Sequence, residues 1–483
     1  MQFILKSFCT RRKLYVYSWT LIAVALSSSV LRDRWNEENL QIIQNDVVEI
    51  DIRPTARGIT AERNPLSVGF GGGGNPTGLK SGLDHLDAYF GHLSDFIRDG
   101  DDLKIPPPNT EKKIVLYWTN WYNPKTSWEW RFGTVREFQE EGCSKWKCEF
   151  TYDRSRLREA HALLFKSDGM EANDLPERFP DQRWVWVDVE SPLSVRGVNG
   201  LINTEDIGSH QFNWTMSYHI SSDIMAMNGY LLPKNKNFMP IRANLLAYHK
   251  ETLKWYLQAL EKTPSLEETE EMKWKAFVKQ RWPVVWMSSN CNTSSKREEY
   301  VYELSKYVRV DKYGDCGNYK CGARYQAFNT KCWIKRLRKK YLFSLAFENS
   351  LCNHYISEKP YNPLVHGLVP IVWGGGGYEH FLPPGSYINA RMYHPRELAE
   401  LIQDLLKNPA AYGRYHFWRQ FWIAKVRGSV CELCYRLHTD PVRGYHRNIS
   451  IWRHTAEQCL VPGPNMFESN EWERIITKEL KKN

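Results

Sequence analysis

The sequence lacks a long run of basic residues, although its 65 Lys and Arg outnumber its 55 Asp and Glu. The positive charges are scattered, and the densest run, Lys335 to Lys340, is short. A short run of this kind is typical of a solvated helix face and not of a nucleic-acid interface. The net charge of +10 therefore indicates an anionic membrane surface or an anionic substrate as the partner, and no nucleic acid.

A second Cys-x-x-Cys pair is also missing. Cys431-Glu-Leu-Cys434 is the single spacing of this type among 11 cysteines. A zinc site would need His438 and a further distant ligand, so the sequence favours structural disulfides over a metal or redox centre.

No clear A-x-A cleavage site follows the apolar run near the N-terminus. Lys6, Arg11, Arg12 and Lys13 precede an uncharged stretch over residues 14–31. A bilayer requires roughly 17 to 25 apolar residues, and positive charge on one side keeps that side in the cytosol. We therefore predict a cytosolic tail at 1–13, a type II transmembrane signal anchor at 14–31 and a lumenal remainder, in preference to a cleaved signal peptide.

A lumenal location is consistent with the cysteine content, because disulfides form in oxidising compartments. Cys9 lies on the cytosolic side of the predicted anchor, which leaves ten cysteines in the lumen. Sequons at Asn213, Asn292 and Asn448 also fit a lumenal chain. We predict glycans at Asn213 and Asn448. Residues 32–110 lack sustained periodicity and are rich in Gly and Pro, which predicts a stem.

Buried-strand patterns and helical patterns alternate after the stem, which predicts an α/β fold. The predicted strands are Ile114–Trp118, Ala162–Phe165, Trp184–Val187, Val284–Met287, Phe343–Phe347 and Leu368–Trp373. The aromatic stretch 412–422 is predicted to form a helix. The tryptophans of the loop at 118–130 have two interpretations that the residues leave open, sugar stacking in an acceptor site or simple filling of the core.

The stretch 341–384 reads as strand, loop, helix and strand, which is the βαβ unit of a parallel sheet. Ligands of such sheets bind at the carboxyl ends of the strands, where Asn349, Glu358 and Lys359 fall. Ser357 is the predicted N-cap of the helix, whose N-terminal N–H groups suit an anion. A phosphorylated ligand is therefore predicted here. The loop after Val284–Met287 repeats the arrangement, with Asn290 and Arg297.

The predicted strand at 184–187 runs into Asp188-Val-Glu190. A carboxylate at the end of a sheet strand is a suitable general base. Alternation along a strand would place both carboxylates on one face, so a metal-binding Asp-x-Glu pair is an open alternative on geometry alone.

Several of these segments resemble the signature of the α1,3-fucosyltransferases. They are FENS, YISEK, VPIVWG and PPGSYI between residues 347 and 388, WVWVDVESP at 184–192, and SNCN followed by SKR between 289 and 297. The likeness covers about residues 111–438. It implies two Rossmann-like domains facing a cleft, the GT-B architecture, with an acceptor-binding domain at 111–265 and a GDP-fucose-binding domain at 280–438. The C-terminal tail at 439–483 has no counterpart that suggests a role.

The resemblance also implies the roles of residues. Glu190 is the expected catalytic base, and no metal or other cofactor is required, although stimulation by a divalent metal stays open. The expected ligands of the GDP-fucose donor are Asn290, Arg297, Asn349, Glu358 and Lys359, so Asn292 beside them is expected to carry no glycan. The late cysteines, Cys431 and Cys434, are expected to pair with the early ones, Cys143 and Cys148.

The implied activity is inverting transfer of L-fucose from GDP-fucose to a glycoprotein glycan, with O3 of GlcNAc as the expected hydroxyl, in the Golgi membrane. Two alternatives stay open, a catalytically inactive glycan-binding Golgi protein and a transferase for another sugar nucleotide. The sequence departs from the family pattern at Ser344, at His354 in place of aspartate, and at Pro360 and Pro363 in the helix that follows.

Overall fold

The computed structural model describes residues 110–121, 127–140, 143–193, 212–234, 251–259, 268–322, 330–440, 446, 449, 452–453 and 458–480. All of them belong to one compact unit, Ala61–Asn483. The predicted tail, anchor and stem up to residue 109 lie outside the described residues. None of the helices within the described ranges combines the length and the apolar character needed to cross a bilayer.

The strands build two parallel sheets and two small antiparallel pairs. Their bounds are β1 Lys113–Tyr117, β2 Cys148–Thr151, β3 Ala162–Lys166, β4 Arg183–Asp188, β5 Trp214–Ser217, β6 Ile224–Met225, β7 Gly229–Pro233, β8 Trp282–Met287, β9 Val310–Tyr313, β10 Tyr341–Phe347, β11 Leu351–Cys352, β12 Val369–Trp373, β13 Ile388–Asn389, β14 Trp422–Val426 and β15 Cys459–Leu460.

The described α-helices are α1 Trp128–Phe132, α2 Val135–Glu140, α3 251–259, α4 Glu268–Lys279, α5 Arg297–Leu304, α6 Thr330–Cys332, α7 Arg338–Lys340, α8 Glu358–Val365, α9 Pro395–Lys407, α10 Pro409–Arg414, α11 Cys431–Thr439 and α12 Ser469–Leu480. A π-turn over Trp333–Leu337 joins α6 to α7. Short 3₁₀ helices lie at Cys143–Trp146, Arg154–Glu159, Ser167–Gly169, Ala172–Asp174, Tyr378–His380, Ala390–Met392 and Phe417–Gln420.

The first sheet has the strand order β2-β1-β3-β4-β5-β6, and every pairing in it is parallel. Apolar clusters cover both of its faces. A parallel strand covered on both faces needs apolar residues at every position, which is why β1, β3 and β4 are recognisable in the sequence as continuous apolar runs.

The second sheet has the order β13-β12-β10-β8-β9, again with parallel pairings. In chain order within the sheet this is the doubly wound arrangement 2-1-3-4-5, whose direction of winding reverses between β8 and β10. Helix α8 connects β10 to β12 and packs against both. The predicted βαβ unit is therefore present.

The segment 412–422 differs from the expected single aromatic helix. The chain there forms the end of α10, a 3₁₀ turn and then β14. Strand β14 pairs antiparallel with β7, which precedes the second sheet by about fifty residues. The aromatic residues of this stretch pack in one apolar cluster. Their spacing along the chain resembles that of an amphipathic helix.

Candidate active site

The loops that follow β8 and β10 lie side by side at the switch point of the second sheet. The N–H of Ser295 donates to the carbonyl of Asn349 over 3.1 Å, and the Ser295 hydroxyl donates to the carbonyl of Glu348 over 2.7 Å. A doubly wound sheet binds its ligands in the crevice at this point. The topology thus brings together the two loops that carry the predicted donor residues.

Arg297 links these two loops by hydrogen bonds to both of them. Its guanidinium donates to the carbonyl of Phe347 over 2.6 Å, to the Ser288 hydroxyl over 2.8 Å and to the carbonyl of Asn290 over 2.9 Å. The side chain is buried, and burial lowers its pKa, yet an arginine stays charged inside a protein. It therefore supplies a positive charge next to both loops, and backbone carbonyls determine its position.

Lys359 lies in the first turn of α8, whose N-cap is Ser357. Its ammonium group donates to the Ser357 hydroxyl over 2.7 Å and to Glu348 Oε2 over 3.1 Å. Burial opposes the charged form, but the carboxylates of Glu348 and Glu358 outweigh that effect and raise the pKa of Lys359. About a fifth of the side chain remains exposed, so the ammonium can still meet a ligand.

Glu348 holds this cation in place. Sequence reasoning assigned Glu348 no role beyond ending a strand. Its carboxylate is fully buried and also accepts from the N–H of Ser357 over 2.8 Å and from the Ser357 hydroxyl over 2.7 Å. Burial raises the pKa of Glu348, and Lys359 offsets only part of that rise. The position directly after an apolar strand was the available signal.

The other predicted donor residues surround the same point. Glu358 is partly exposed beside Lys359 at 3.8 Å, and although burial opposes ionisation, Lys359 lowers its pKa. The backbone carbonyls of Asn290 and Asn349 accept hydrogen bonds within the loops. Within the described part of the chain their side-chain amides make no hydrogen bond, so both amides are available to a ligand.

Glu190 follows the end of β4 and reaches the loop after β10. Its Oε2 accepts a hydrogen bond of 2.7 Å from the Tyr355 hydroxyl. The neighbouring Ser191 donates to the Ser350 hydroxyl over 2.6 Å. Burial, followed by the charge of Glu190, raises the pKa of Tyr355 well above its ordinary value. The predicted base of the first sheet therefore lies next to the predicted ligand loop of the second.

Asp188 has a different environment, which argues against a metal held by Asp188 and Glu190. Its carboxylate is fully buried and lies 3.3 Å from the Lys166 ammonium and 3.0 Å from the Arg453 guanidinium. The Ser167 hydroxyl and the N–H of Glu190 donate to it as well. With both oxygens occupied by cations and donors, Asp188 has a structural role.

All ten cysteines from Cys143 onward form disulfides. The pairs are Cys143–Cys431, Cys148–Cys434, Cys291–Cys316, Cys321–Cys332 and Cys352–Cys459. The first two join the late cysteines to the early ones, as the resemblance implied. His438 Nε2 lies 4.0 Å from Cys148 Sγ, but that sulfur is bonded to Cys434, which leaves no thiolate for zinc.

Of the two asparagines predicted to carry glycans, only Asn213 lies in the described part of the chain. Asn213 is buried, and its side-chain carbonyl accepts from Arg178 over 2.7 Å and from the N–H of Trp184 over 2.9 Å. This setting weighs against a glycan at Asn213 in the folded chain, and the glycan stays a prediction. Asn448 lies outside the described residues.

The tryptophan-rich loop fills the core where it is described. Trp121 and Trp128 are completely buried, and Trp128 stacks on Tyr117 at 4.9 Å. Trp118 is half-buried against the Arg154 guanidinium. Core filling is therefore the role of the two buried rings.

The departures from the family pattern are accommodated locally. Ser344 is buried in the middle of β10, so its side chain packs within the sheet. His354 adopts a left-handed conformation with φ 57°, and its Nδ1 lies 3.0 Å from His219 Nε2. Helix α8 includes Pro360 in its first turn and Pro363 inside, and it is only eight residues long.

Comparison with known proteins gives a consistent result. The family description "Glycosyltransferase family 10 (fucosyltransferase) C-term" matches residues 277–452, and "Fucosyltransferase, N-terminal" matches residues 110–229. A relative from Drosophila melanogaster, alpha-(1,3)-fucosyltransferase C, is 28% identical over 74% of this chain and 81% of its own length. The human 4-galactosyl-N-acetylglucosaminide 3-alpha-L-fucosyltransferase 9 is 29% identical over 65% of this chain and 78% of its own.

A solved structure of an alpha1,3-fucosyltransferase with GDP superposes with a TM-score of 0.37 at 14% identity, covering 65% of this chain and 84% of that one.

Proposed function

The chain belongs to glycosyltransferase family 10, the fucosyltransferases, and is an enzyme of that class; we propose that it moves L-fucose from GDP-fucose to a glycan hydroxyl with inversion. One observation supports this more than any other. Tyr355 is hydrogen-bonded to the carboxylate of Glu190 and lies four residues before Lys359. This contact supports one connected site for the proposed base and the proposed anion-binding cation.

In the proposed mechanism, Glu190 accepts the proton of the acceptor hydroxyl as that oxygen attacks the anomeric carbon of fucose. Negative charge then builds on the departing GDP, where Lys359 and the fixed charge of Arg297 stabilise it. The helix α8 adds its N-terminal N–H groups beside the same phosphates. With two cations on the diphosphate, the reaction needs no metal.

The remaining donor residues orient the nucleotide sugar. The partly exposed carboxylate of Glu358 would accept hydrogen bonds from sugar or ribose hydroxyls. The amides of Asn290 and Asn349 would bind the phosphate side, since neither has a partner within the described residues. In this arrangement the two sheets form the two halves of a GT-B enzyme, with domains at 111–265 and 280–438.

The acceptor that we propose is O3 of GlcNAc in a glycoprotein glycan, and the proposed compartment is the Golgi lumen behind a type II anchor at 14–31. The relatives named above act in α1,3-fucosylation according to their names. Five disulfides are in keeping with an oxidising compartment.

The test uses the secreted lumenal chain with GDP-fucose and an array of glycan acceptors. Wild-type protein should transfer fucose, and Glu190→Gln should lower kcat by about 100-fold or more, the usual contribution of a general base. GDP binding by the variant should stay unchanged. Full turnover by Glu190→Gln would refute the assignment of the base, and tighter binding of UDP than of GDP would refute the donor.

A further inference from the structure

The tail residue Arg453 directly follows the segment that matches the fucosyltransferase family, which ends at residue 452. It is buried, and its guanidinium lies over the ring of Trp186 at 5.4 Å. One guanidinium nitrogen lies 3.0 Å from Asp188 Oδ2, and the other donates to the backbone carbonyl of Glu190 over 2.5 Å. The tail thus contacts the loop of the proposed base.

The contacts around Glu190 form a closed ring. The N–H of Glu190 donates to Asp188 Oδ1 over 2.9 Å, while its carbonyl accepts from Arg453. Asp188 and Arg453 are themselves ion-paired. Both backbone polar groups of Glu190 are therefore held by two side chains that also hold each other, which fixes the direction in which the Glu190 side chain leaves the backbone.

Lys166 is a poor substitute for this arginine. Its ammonium binds Asp188 at 3.3 Å but is shared with Asp168 at 2.9 Å. An ammonium is a point charge, whereas a guanidinium offers a planar fork that reaches two acceptors at once. Bridging a carboxylate and a backbone carbonyl is a task that suits Arg453.

We propose that Arg453 is a positioning residue for Glu190: it acts through Asp188 and the Glu190 carbonyl, and it holds the base at the distance needed for proton transfer. This inference depends on the proposed role of Glu190 as the base. Arg453 touches neither donor nor acceptor in this scheme, so it affects the chemical step and leaves donor binding intact.

The experiment measures kcat, donor and acceptor KM, GDP affinity and thermal unfolding for wild type, Arg453→Lys and Arg453→Met of the secreted chain. Displacement of a catalytic group by about 1 Å can cost about 100-fold. We expect kcat to fall about 10- to 100-fold in Arg453→Met and by less in Arg453→Lys, with the donor KM and GDP affinity of wild type. Arg474→Met is the matched control, since Arg474 lies in the same tail but pairs only with Glu471 and the carbonyl of Val461 among the described residues.

The outcomes are distinguishable. If wild type transfers fucose and the folded Arg453 variants keep its kcat, the inference is wrong while the proposed function stands. If kcat and GDP affinity fall together, Arg453 is merely structural and the inference is also wrong. If Arg453→Met does not unfold cooperatively, the kcat of Arg453→Lys decides in the same way. Absence of transfer by wild type overturns the proposed function and, with it, this inference.

Discussion

The strands β4 and β10 end in the same way, with a completely buried carboxylate at Asp188 in one and at Glu348 in the other. Each carboxylate binds the backbone of the residues that follow it and a nearby lysine. Each is also followed by a second, more exposed carboxylate, Glu190 or Glu358, to which we assign a role in the reaction. Both sheets therefore use a buried acid to shape a functional loop.

The two junctions differ in their positive charge. Burial alone would raise the pKa of Asp188, but Lys166 and Arg453 outweigh it and lower the pKa. Among the described residues, Glu348 is ion-paired with Lys359 alone, and burial raises the pKa of Glu348. The negative charge of Asp188 is thus neutralised by protein cations without a ligand. At the second junction, Lys359 would bind both Glu348 and the proposed diphosphate.

The largest expected effect on stability comes from removing the disulfides of the second sheet's loops. Cys352–Cys459 holds the loop after β10 and closes 107 residues, whereas Cys291–Cys316 closes 25. In the chain-entropy model, replacing both members of each pair by alanine costs about 5 kcal/mol in the first case and about 3.5 kcal/mol in the second. Urea denaturation measures both. Equal losses would show that the loop length does not govern stability here.

The next prediction separates the roles of the lysines at the two junctions, Lys166 and Lys359. Lys359→Met should weaken GDP binding by about 100-fold, because a charge-assisted hydrogen bond to phosphate contributes up to about 3 kcal/mol. Lys166→Met should lower the thermal stability and leave GDP affinity unchanged. Isothermal titration with GDP, together with a melting curve, checks both variants. A loss of GDP affinity in Lys166→Met would remove the distinction between the junctions.

A smaller effect is expected from pH. The lowered pKa of Asp188 means that its stabilising contribution is complete above about pH 4 and is lost as the pH falls through its folded-state value. The raised pKa of Glu348 means the opposite, a contribution that is complete below about pH 4 and is lost as the pH rises. Wild-type stability relative to Asp188→Asn should therefore increase with pH, and relative to Glu348→Gln it should decrease. Urea denaturation from about pH 2.5 to about pH 7, a range that extends below and above the ordinary carboxyl pKa of about 4, measures the two slopes. Slopes of the same sign would contradict the comparison.

The smallest expected effects concern the side-chain amides of Asn290, which follows β8, and Asn349, which follows β10. Asn290→Ala and Asn349→Ala should each weaken GDP binding by about 2- to 12-fold, the equivalent of one net hydrogen bond. Thermal stability should stay within about 0.5 kcal/mol of wild type, since neither amide binds protein within the described residues. Unchanged GDP affinity in both variants would mean that the nucleotide lies elsewhere.

The sequence predicted the buried strands well because a parallel strand covered on both sides is a continuous apolar run. Phe343–Phe347 and Ala162–Phe165, for example, each lie within an observed strand. The resemblance to the α1,3-fucosyltransferases is confirmed by the family matches. The helix predicted at 412–422 is wrong, because β14 exists through pairing with β7, and such long-range pairing leaves no local pattern.

The candidate site was predicted in the same uneven way. Glu190, Arg297 and Lys359 stand in motifs, and each motif occupies a strand end. Tyr355 stands in a motif too, but its partner Glu190 lies 165 residues away, and nothing in the sequence reveals that contact. Arg453 has no motif at all, since its role arises from packing against the first sheet.

The fastening of both junctions by the tail has a consequence for biosynthesis. Arg453 and Cys459 leave the ribosome long after the loops they hold, which contain Asp188 and Cys352. Domains generally begin to fold from the N-terminus during synthesis. Until the tail has been made, Asp188 therefore lacks its ion pair with Arg453, and Cys352 lacks its disulfide partner Cys459. An mRNA truncated shortly before codon 453 would therefore encode nearly every recognisable motif, but its product would lack the tail contacts that hold the candidate site.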